Sequence, residues 1–577
     1  MRNNTRVRLL ISIFSAVTLF TAACERALPP EPADIVLRNG GIYTVDAARS
    51  WAEAAAIRDG VVVAVGANSD VEQHIGAETR VVDLASRMAM PGIHDSHIHP
   101  LEGGYEQVYC NLWDYSDSVA DVVRALRECA AENDDDWFNA VGLDLGLFGL
   151  AGPDKSLLDG IAPDKYIFVD GSDGHAALIN DAVLELVGFD ADTPDPIGGV
   201  IERREGSREP NGTVRETARD LIDKLRPPRE LETSVDAMAG ALKTMNAFGI
   251  TSVYDVWIGE LEMQVYEALD QSGDLSVRVL GAITDEGVFG KHTGAELERV
   301  IRERGQYESE RVSYNSIKLF VDGVFEGETG AVLEPYNSAD HHGVLNHSPS
   351  ELRDRVARYY DRGLQLHFHT MGDGAARAAL DALAYARERG DPAHKQMRHA
   401  LSHLGLIDPA EFSRFRELNA AAAFTAIWAY PSQWTVNLEI PTLGQARVDR
   451  MYPIRSVHEA GGIVVGASDW NYGELNPLLS IETAVTRQDP FGPSELTAST
   501  QEAVSLATMI DAYTINGAWL AHQDDRLGSI EAGKLADIVV FDRNLFDIQL
   551  DQISEAVVDL TIFDGRIVYD RSDTDNE

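Results

Sequence analysis

The stretch Met90-Pro91-Gly92-Ile93-His94-Asp95-Ser96-His97-Ile98-His99-Pro100 decides how the rest of the chain is read. It is an extended run that ends in a His-x-His pair and is stopped by a proline. In a strand, residues i and i+2 project to the same face, so His97 and His99 leave the end of one strand together. Two imidazoles placed that way can hold a divalent transition metal. For an arbitrary His-x-His the plainer reading is the better one: two partly exposed histidines at a strand end. The choice turns on whether further ligands arrive at the ends of later strands.

Apolar and β-branched runs at 93–99, 250–255, 275–282, 316–322, 364–369, 399–403, 421–426 and 463–469 alternate with helical stretches at 234–248, 261–271, 348–362, 374–389 and 409–418. This pattern predicts an α/β fold, a (β/α)8 TIM-type barrel over 91–523, with its chemistry at the C-terminal ends of the strands. A long insertion, about 101–230, follows the first strand. It is expected to hold helical pieces, the acidic triplet Asp134-Asp135-Asp136 and a Gly/Pro-rich segment at 193–200. The triplet reads as a solvated turn. Strand-like runs at 34–41, 61–65 and 80–84 match others at 535–542 and 557–569. Short strands at both ends need a shared sheet. Residues 34–90 and 524–572 are therefore expected to form one small β-sandwich, leaving a tail at 573–577.

The strand ends can then be searched. The first carries His97 and His99, the fourth Lys318, and the fifth His367-Phe368-His369. The sixth ends in His403 and the eighth in Ser468-Asp469-Trp470. A barrel with inward ligands at these five strands can hold two divalent metals.

This ordered pattern resembles the amidohydrolase superfamily, and within it amidohydrolase family 3, the group containing N-substituted formamide deformylase. The resemblance runs from about Ala33 to Val568. It includes Asp173-Gly174-His175, Thr193-Pro194-Asp195-Pro196-Ile197-Gly198-Gly199, Gly249-Ile250-Thr251-Ser252-Val253 and Tyr513-Thr514-Ile515-Asn516-Gly517-Ala518. It implies that His97 and His99 bind the more buried metal, that His369 and His403 bind the other, and that Lys318 bridges both as an N-carboxylated lysine. Asp469 is implied to be ligand and proton acceptor at once. An ammonium cannot ligate a metal, whereas a carbamate formed from CO2 offers two anionic oxygens to two cations. Without the resemblance, Lys318 reads as the ion-pair partner of Asp322.

The neighbours carry weaker readings. His175 is either a catalytic histidine that polarises the carbonyl from the insertion or a structural one. Glu326 and Asp322 are expected in supporting positions, as is His367, which lies two residues deeper than His369 on the same face. Tyr105, Trp113, Trp470 and Arg487 are pocket candidates that more simply read as packing. Ser402 stands where the family often has glutamate, and Ala426-Ile427-Trp428 where many members carry Gln-Pro. Both departures bear on substrate choice rather than on metal binding.

Composition bounds partners and address. A formal net charge of −44 argues against nucleic acid, which needs a basic footprint. Arg2, Arg6 and Arg8 precede an apolar run from Leu9 to Ala23, short for a spanning helix and suited to a signal peptide at 1–23. The sequence Thr21-Ala22-Ala23-Cys24 resembles a bacterial lipoprotein signal, which places the protein in the periplasm or cell envelope. There a lipid on Cys24 followed by a linker at 24–33 would be its sole membrane contact. In an oxidising compartment Cys110 and Cys129 could pair, but sequence separation alone does not show that their Cα atoms lie close.

The leading functional expectation is an exported amidohydrolase using divalent metal, zinc by default, on a small amide-type substrate. In it, a metal-bridging hydroxide attacks the carbonyl of an amide, N-formyl or N-acyl amine and breaks a non-peptide C–N bond. The alternatives are a deaminase or cyclic-amide hydrolase on the same scaffold, and a surface binding protein that has lost turnover. The sequence leaves oligomeric state unread.

Overall fold

The computed structural model describes residues 31–574 apart from 116–117, 150–151, 197, 339 and 493–498. The signal-peptide segment 1–23, Cys24, most of the expected linker and the last three residues of the tail lie outside the described residues.

Eight parallel strands form the central sheet: β1 (Ile93–Ile98), β2 (Ile250–Ile258), β3 (Arg278–Thr284), β4 (Val312–Phe320), β5 (Gln365–Thr370), β6 (His399–His403), β7 (Ala420–Phe424) and β8 (Ile463–Gly466). Neighbours in sequence are neighbours in space. The expected (β/α)8 barrel is therefore the fold. Strands enclosed by helices read as apolar runs because both faces are covered. β7, Ala420–Phe424, is wholly apolar and buried at every position. The helices Leu231–Ala247, Glu260–Ser272, Pro349–Tyr360 and Asp373–Arg389 fall within three residues of the expected ones. Sequence chemistry explains one boundary directly. Ser348 accepts from the Glu351 N–H while the Glu351 carboxylate accepts from the Ser348 N–H, a reciprocal cap that starts the helix at Pro349.

Strand register sets the levels of the barrel mouth. Lys318 pairs with His367, Phe320 with His369, and Thr370 with His403. The seam between β8 and β1 is closed by the loop after β8. The Asp469 N–H donates to His97 O at 2.8 Å, and the His99 N–H donates to Trp470 O at 2.6 Å. The closing bonds thus join the very residues that carry polar side chains into the mouth.

Both termini do share a β-domain. A six-stranded sheet places Ile538–Phe541, Val558–Phe563 and Arg566–Asp570 beside Met88–Pro91, Gly41–Tyr43 and Trp51–Ala52, and a four-stranded sheet faces it. Leu37, Ile57, Val540 and Ile562 are fully buried in the core they share. Met88–Pro91 runs on into β1 through Gly92, so this domain anchors the foot of the first barrel strand.

The insertion departs from expectation. Helix Val119–Glu132 is present, but the body is a six-stranded sheet ordered Gly199–Arg203, Pro210–Glu216, Ala176–Ile179, Tyr166–Gly171, Trp137–Leu143 and Cys110–Asn111. Its strands are short and several are buried on both faces, so no clean alternation marks them in the sequence. The acidic triplet is exposed, as a solvated turn should be. Cys110 and Cys129 form a disulfide, with Cα atoms 5.7 Å apart, which ties the edge strand of this sheet to its helix.

Candidate active site

The mouth of the barrel gathers the strand-end residues into one buried cluster. His97, His403 and Asp469 each present a ligand atom, all within 4.8 Å of one another. Asp469 Oδ1 lies 3.2 Å from His97 Nε2 and 3.1 Å from His99 Nε2, and its Oδ2 lies 3.6 Å from His403 Nδ1. Lys318 Nζ is 3.1 Å from His97 Nε2. The His369 ring sits 4.3 Å from that of His403, while its Nε2 faces Gly323 O at 3.1 Å. All six side chains are buried, Lys318 to 1% exposure. His403 and Asp469 both hold left-handed backbone, φ +70° and +56°. Such conformations in non-glycine residues persist where the surroundings dictate them, commonly at functional sites.

Burial dominates the electrostatics. It drives the imidazoles of His97, His369 and His403 well below the ordinary histidine range, with nearby cationic groups, Lys318 among them, adding to the effect. They are neutral and can donate lone pairs. Burial also pulls the Lys318 amine down to about 7, against the attraction of Asp469.

The insertion roofs this cluster. His175 packs its ring 4.9 Å from His369 and hydrogen-bonds through Nδ1 to Glu216 Oε2 at 2.8 Å. Burial alone would lower its pKa, but the Glu216 carboxylate outweighs that and holds it above the ordinary value. Trp257, Phe289, Phe320 and Tyr472 line the pocket between roof and mouth. Trp428 stacks on His403 at 5.7 Å.

The sequence profile of the amidohydrolase family matches residues 80–569, and the matched span carries every one of these side chains.

The chain belongs to the amidohydrolase family. Among curated proteins, LONG AFTER FAR-RED 3 of Arabidopsis thaliana is 28% identical over 96% of this chain and 94% of its own length. N-substituted formamide deformylase of Arthrobacter pascens is 27% identical over 93% of this chain and 99% of its own length. Among solved structures, a metal-dependent hydrolase of Pyrococcus horikoshii superposes with a TM-score of 0.70 at 21% identity, covering 89% of this chain and 99% of that one, a likeness of fold.

Against that family pattern, the structure sorts the expected residues. It brings together His97, His99, Lys318, His403 and Asp469, with His369 at their side, and it places His175 overhead. His367 sits beneath the cluster, its Nε2 2.8 Å from His97 Nδ1, so it orients that ring from behind. Asp322 is not the ion-pair partner of Lys318. Its carboxylate accepts the N–H groups of Ala331, Met371 and Gly372 and so organises the loops after β4 and β5. Glu326 accepts a hydrogen bond from the Trp434 indole. Tyr105 bonds Ser234, Trp113 bonds Glu106, and Arg487 donates to the Met451 and Tyr452 carbonyls. Trp470 packs over Gly103. These four are packing residues. Sequence reading missed Glu216, Trp257, Phe289 and Tyr472. Trp257 extends an expected strand, which was a usable signal, whereas Glu216 and Phe289 lie in no motif.

Proposed function

We propose that this chain is a metal-dependent hydrolase that cleaves the C–N bond of a small N-formyl amine, N-acyl amine or amide. The single observation that carries this is the convergence of His97, His99, His403 and Asp469 beside a buried Lys318, beneath a pocket lined by Trp257, Phe289, Phe320 and Tyr472. The donor set fits a divalent cation. Both ring nitrogens of His403 and Nδ1 of His99 are buried with no hydrogen-bond partner among the described residues, and neutral imidazoles with one carboxylate are ordinary zinc ligands. His97, His99 and Asp469 would hold one ion, His369 and His403 a second, with Lys318 N-carboxylated between them. Such ions supply Lewis acidity and bring the pKa of water from about 15.7 to about 7.

The chain's own residues do the rest. Asp469 takes a proton from the water whose oxygen adds to the carbonyl carbon. As the C–N bond breaks, it returns that proton to the leaving nitrogen. Atoms balance: water and amide become carboxylic acid and amine. His175 donates a hydrogen bond to the carbonyl oxygen from the roof. Lys318 is suited to carboxylation because its near-neutral amine, buried and next to His97, is the form that adds CO2 with loss of a proton. That same buried lysine weighs against the deaminase reading, since superfamily deaminases commonly manage with one metal and no such bridge. N-formyl amines head the substrate list because a relative over 93% of the chain is named for them.

The proposal extends to location. Export and lipid attachment through Cys24 are supported by the basic and apolar leader in the sequence and by the Cys110–Cys129 disulfide, a bond that persists in oxidising compartments. Labelling cells with a palmitate analogue, with and without Cys24→Ser, tests the anchor; equal labelling of both sinks it. The function is tested by screening N-formyl, N-acyl and cyclic amides against mature protein with bound metal measured in the same sample. Activity should follow metal content and vanish in Lys318→Ala with the fold retained. A metal-loaded, folded protein inert to every amide would leave the binding-protein reading standing.

A further inference from the structure

Glu216 ends the insertion strand Pro210–Glu216, 3% exposed, and nothing on its own strand explains the effort spent placing it. Its backbone holds φ +52° and ψ −126°, a positive-φ conformation that residues with a side chain rarely adopt. Every polar atom of the residue that faces the pocket is committed. Its N–H donates to His175 O at 2.8 Å. Its Oε2 accepts from His175 Nδ1 at 2.8 Å, and its Oε1 accepts from the Thr329 hydroxyl at 2.8 Å. Room for that carboxylate exists because residue 323 is glycine: a Cβ there would lie 2.2 Å from both Glu216 Oε1 and Thr329 Oγ1. The next atom along is Gly323 O, which faces His369. The carboxylate thus bridges the roof and the loop after β4.

We propose that Glu216 is the positioning residue for His175, holding Nδ1–H so that Nε2 is the nitrogen presented to the bound amide above His369. An imidazole has two nitrogens, and the bond made by one decides what the other can do. With Nδ1–H held by the carboxylate, the ring cannot flip without losing a charge-assisted bond in a dry setting, and Nε2, carrying the second proton of the imidazolium, is the nitrogen left to donate. Thr329 keeps the carboxylate itself from rotating. The inference rests on the reading of the pocket as an amide-hydrolysing site, and its first test needs no substrate.

In the metal-loaded protein, His175 Nδ1–H should give a downfield proton resonance, identified by its loss in His175→Asn. Glu216→Gln should shift or abolish that resonance; an unmoved signal overturns the clamp whether or not a substrate is known. On any hydrolysed amide, Glu216→Gln should lower kcat roughly 10- to 100-fold with metal content, thermal midpoint and KM little changed, because the amide keeps the shape but cannot accept both hydrogen bonds. Glu216→Asp should recover part of the loss. The deciding measurement is the double variant. If Glu216 acts through His175, His175→Asn with Glu216→Gln is no slower than His175→Asn alone. Multiplying losses would mean an independent structural role and would overturn the proposal.

Discussion

The barrel mouth and the inserted roof face each other across one pocket, yet they are specified in different ways. The mouth places its residues by topology. Eight parallel strands must end on one rim, so a histidine at the end of β1, a lysine on β4 and an aspartate after β8 arrive at the same place whatever the loops do. The roof places His175 by local devices: the turn at Asp173, whose Oδ1 accepts the N–H groups of His175 and Ala176, the ion pair with Glu216, and the contact of Gly174 with Tyr472. Mouth residues therefore depend on the whole fold, and roof residues on a few contacts. Losing chemistry and losing orientation should look different in experiment.

The sharpest contrast comes from the mouth. Asp469→Asn removes the carboxylate that lies against the ring nitrogens of both His97 and His99. It should cost a thousandfold or more in kcat/KM, in the upper range for a positioned proton carrier that is also a ligand. A chelator should abolish activity as completely, with recovery on adding zinc, while far-ultraviolet circular dichroism stays native. An Asp469→Asn enzyme within tenfold of wild type would break the division of labour drawn above. From the roof, His175→Asn should lose about a hundredfold in kcat and keep its metal. Were it to lose metal instead, the roof would have to be counted as part of the mouth.

What could be read from the chain follows the same line. His97, His99, His369, His403 and Asp469 were legible because they lie at the ends of apolar runs, and strand ends in a barrel converge by geometry; Lys318 sits inside its run and was singled out as a ligand by the family resemblance. The two-ended β-domain was legible because strands as short as Ile538–Phe541 cannot stand alone. The roof was not. Its strands run from two to seven residues and several are buried on both faces, so neither period nor alternation marks them. Glu216 lies 41 residues from the histidine it holds, and only the antiparallel pairing of Ala176 with Arg215 brings them together. Asp322 was ambiguous for a related reason. Four residues from Lys318 it looks like a partner, but its carboxylate is turned to three backbone N–H groups instead.

The local devices of the roof can be weakened without touching any ligand. Gly174 has φ +67°, and a Cβ there would lie 2.6 Å from the Tyr472 ring. Gly174→Ala adds both backbone strain and overlap, each worth about 1–3 kcal/mol. Thermal melting should show a loss of that order. kcat should fall as His175 is displaced, and bound metal should stay constant. An equally active, equally stable variant would mean that the roof tolerates more movement than its contacts suggest.

The smallest effect tests how roof and mouth are fastened. The chain leaves the barrel near Glu102 and returns near Arg229, and these two meet as a bidentate pair at 2.6 and 2.7 Å, with the guanidinium over the Tyr105 ring. Burial pushes the Glu102 carboxyl up, but Arg229 outweighs it and holds the pKa at about 2. A carboxyl whose pKa is depressed on folding stabilises the folded state above its unfolded value, about 4.3, and loses that contribution as pH falls through the folded value. Glu102→Gln should therefore be less stable than wild type at pH 7, and the gap should close between about pH 4.3 and pH 2 as wild type gives up the same interaction. Denaturant melts at several pH values read this directly. A gap that stays constant from neutral pH down to the acid limit would show that Glu102 contributes shape rather than charge. The neck of the insertion would then be held by the same packing that holds the barrel, and the contrast between the two regions would end at the pocket.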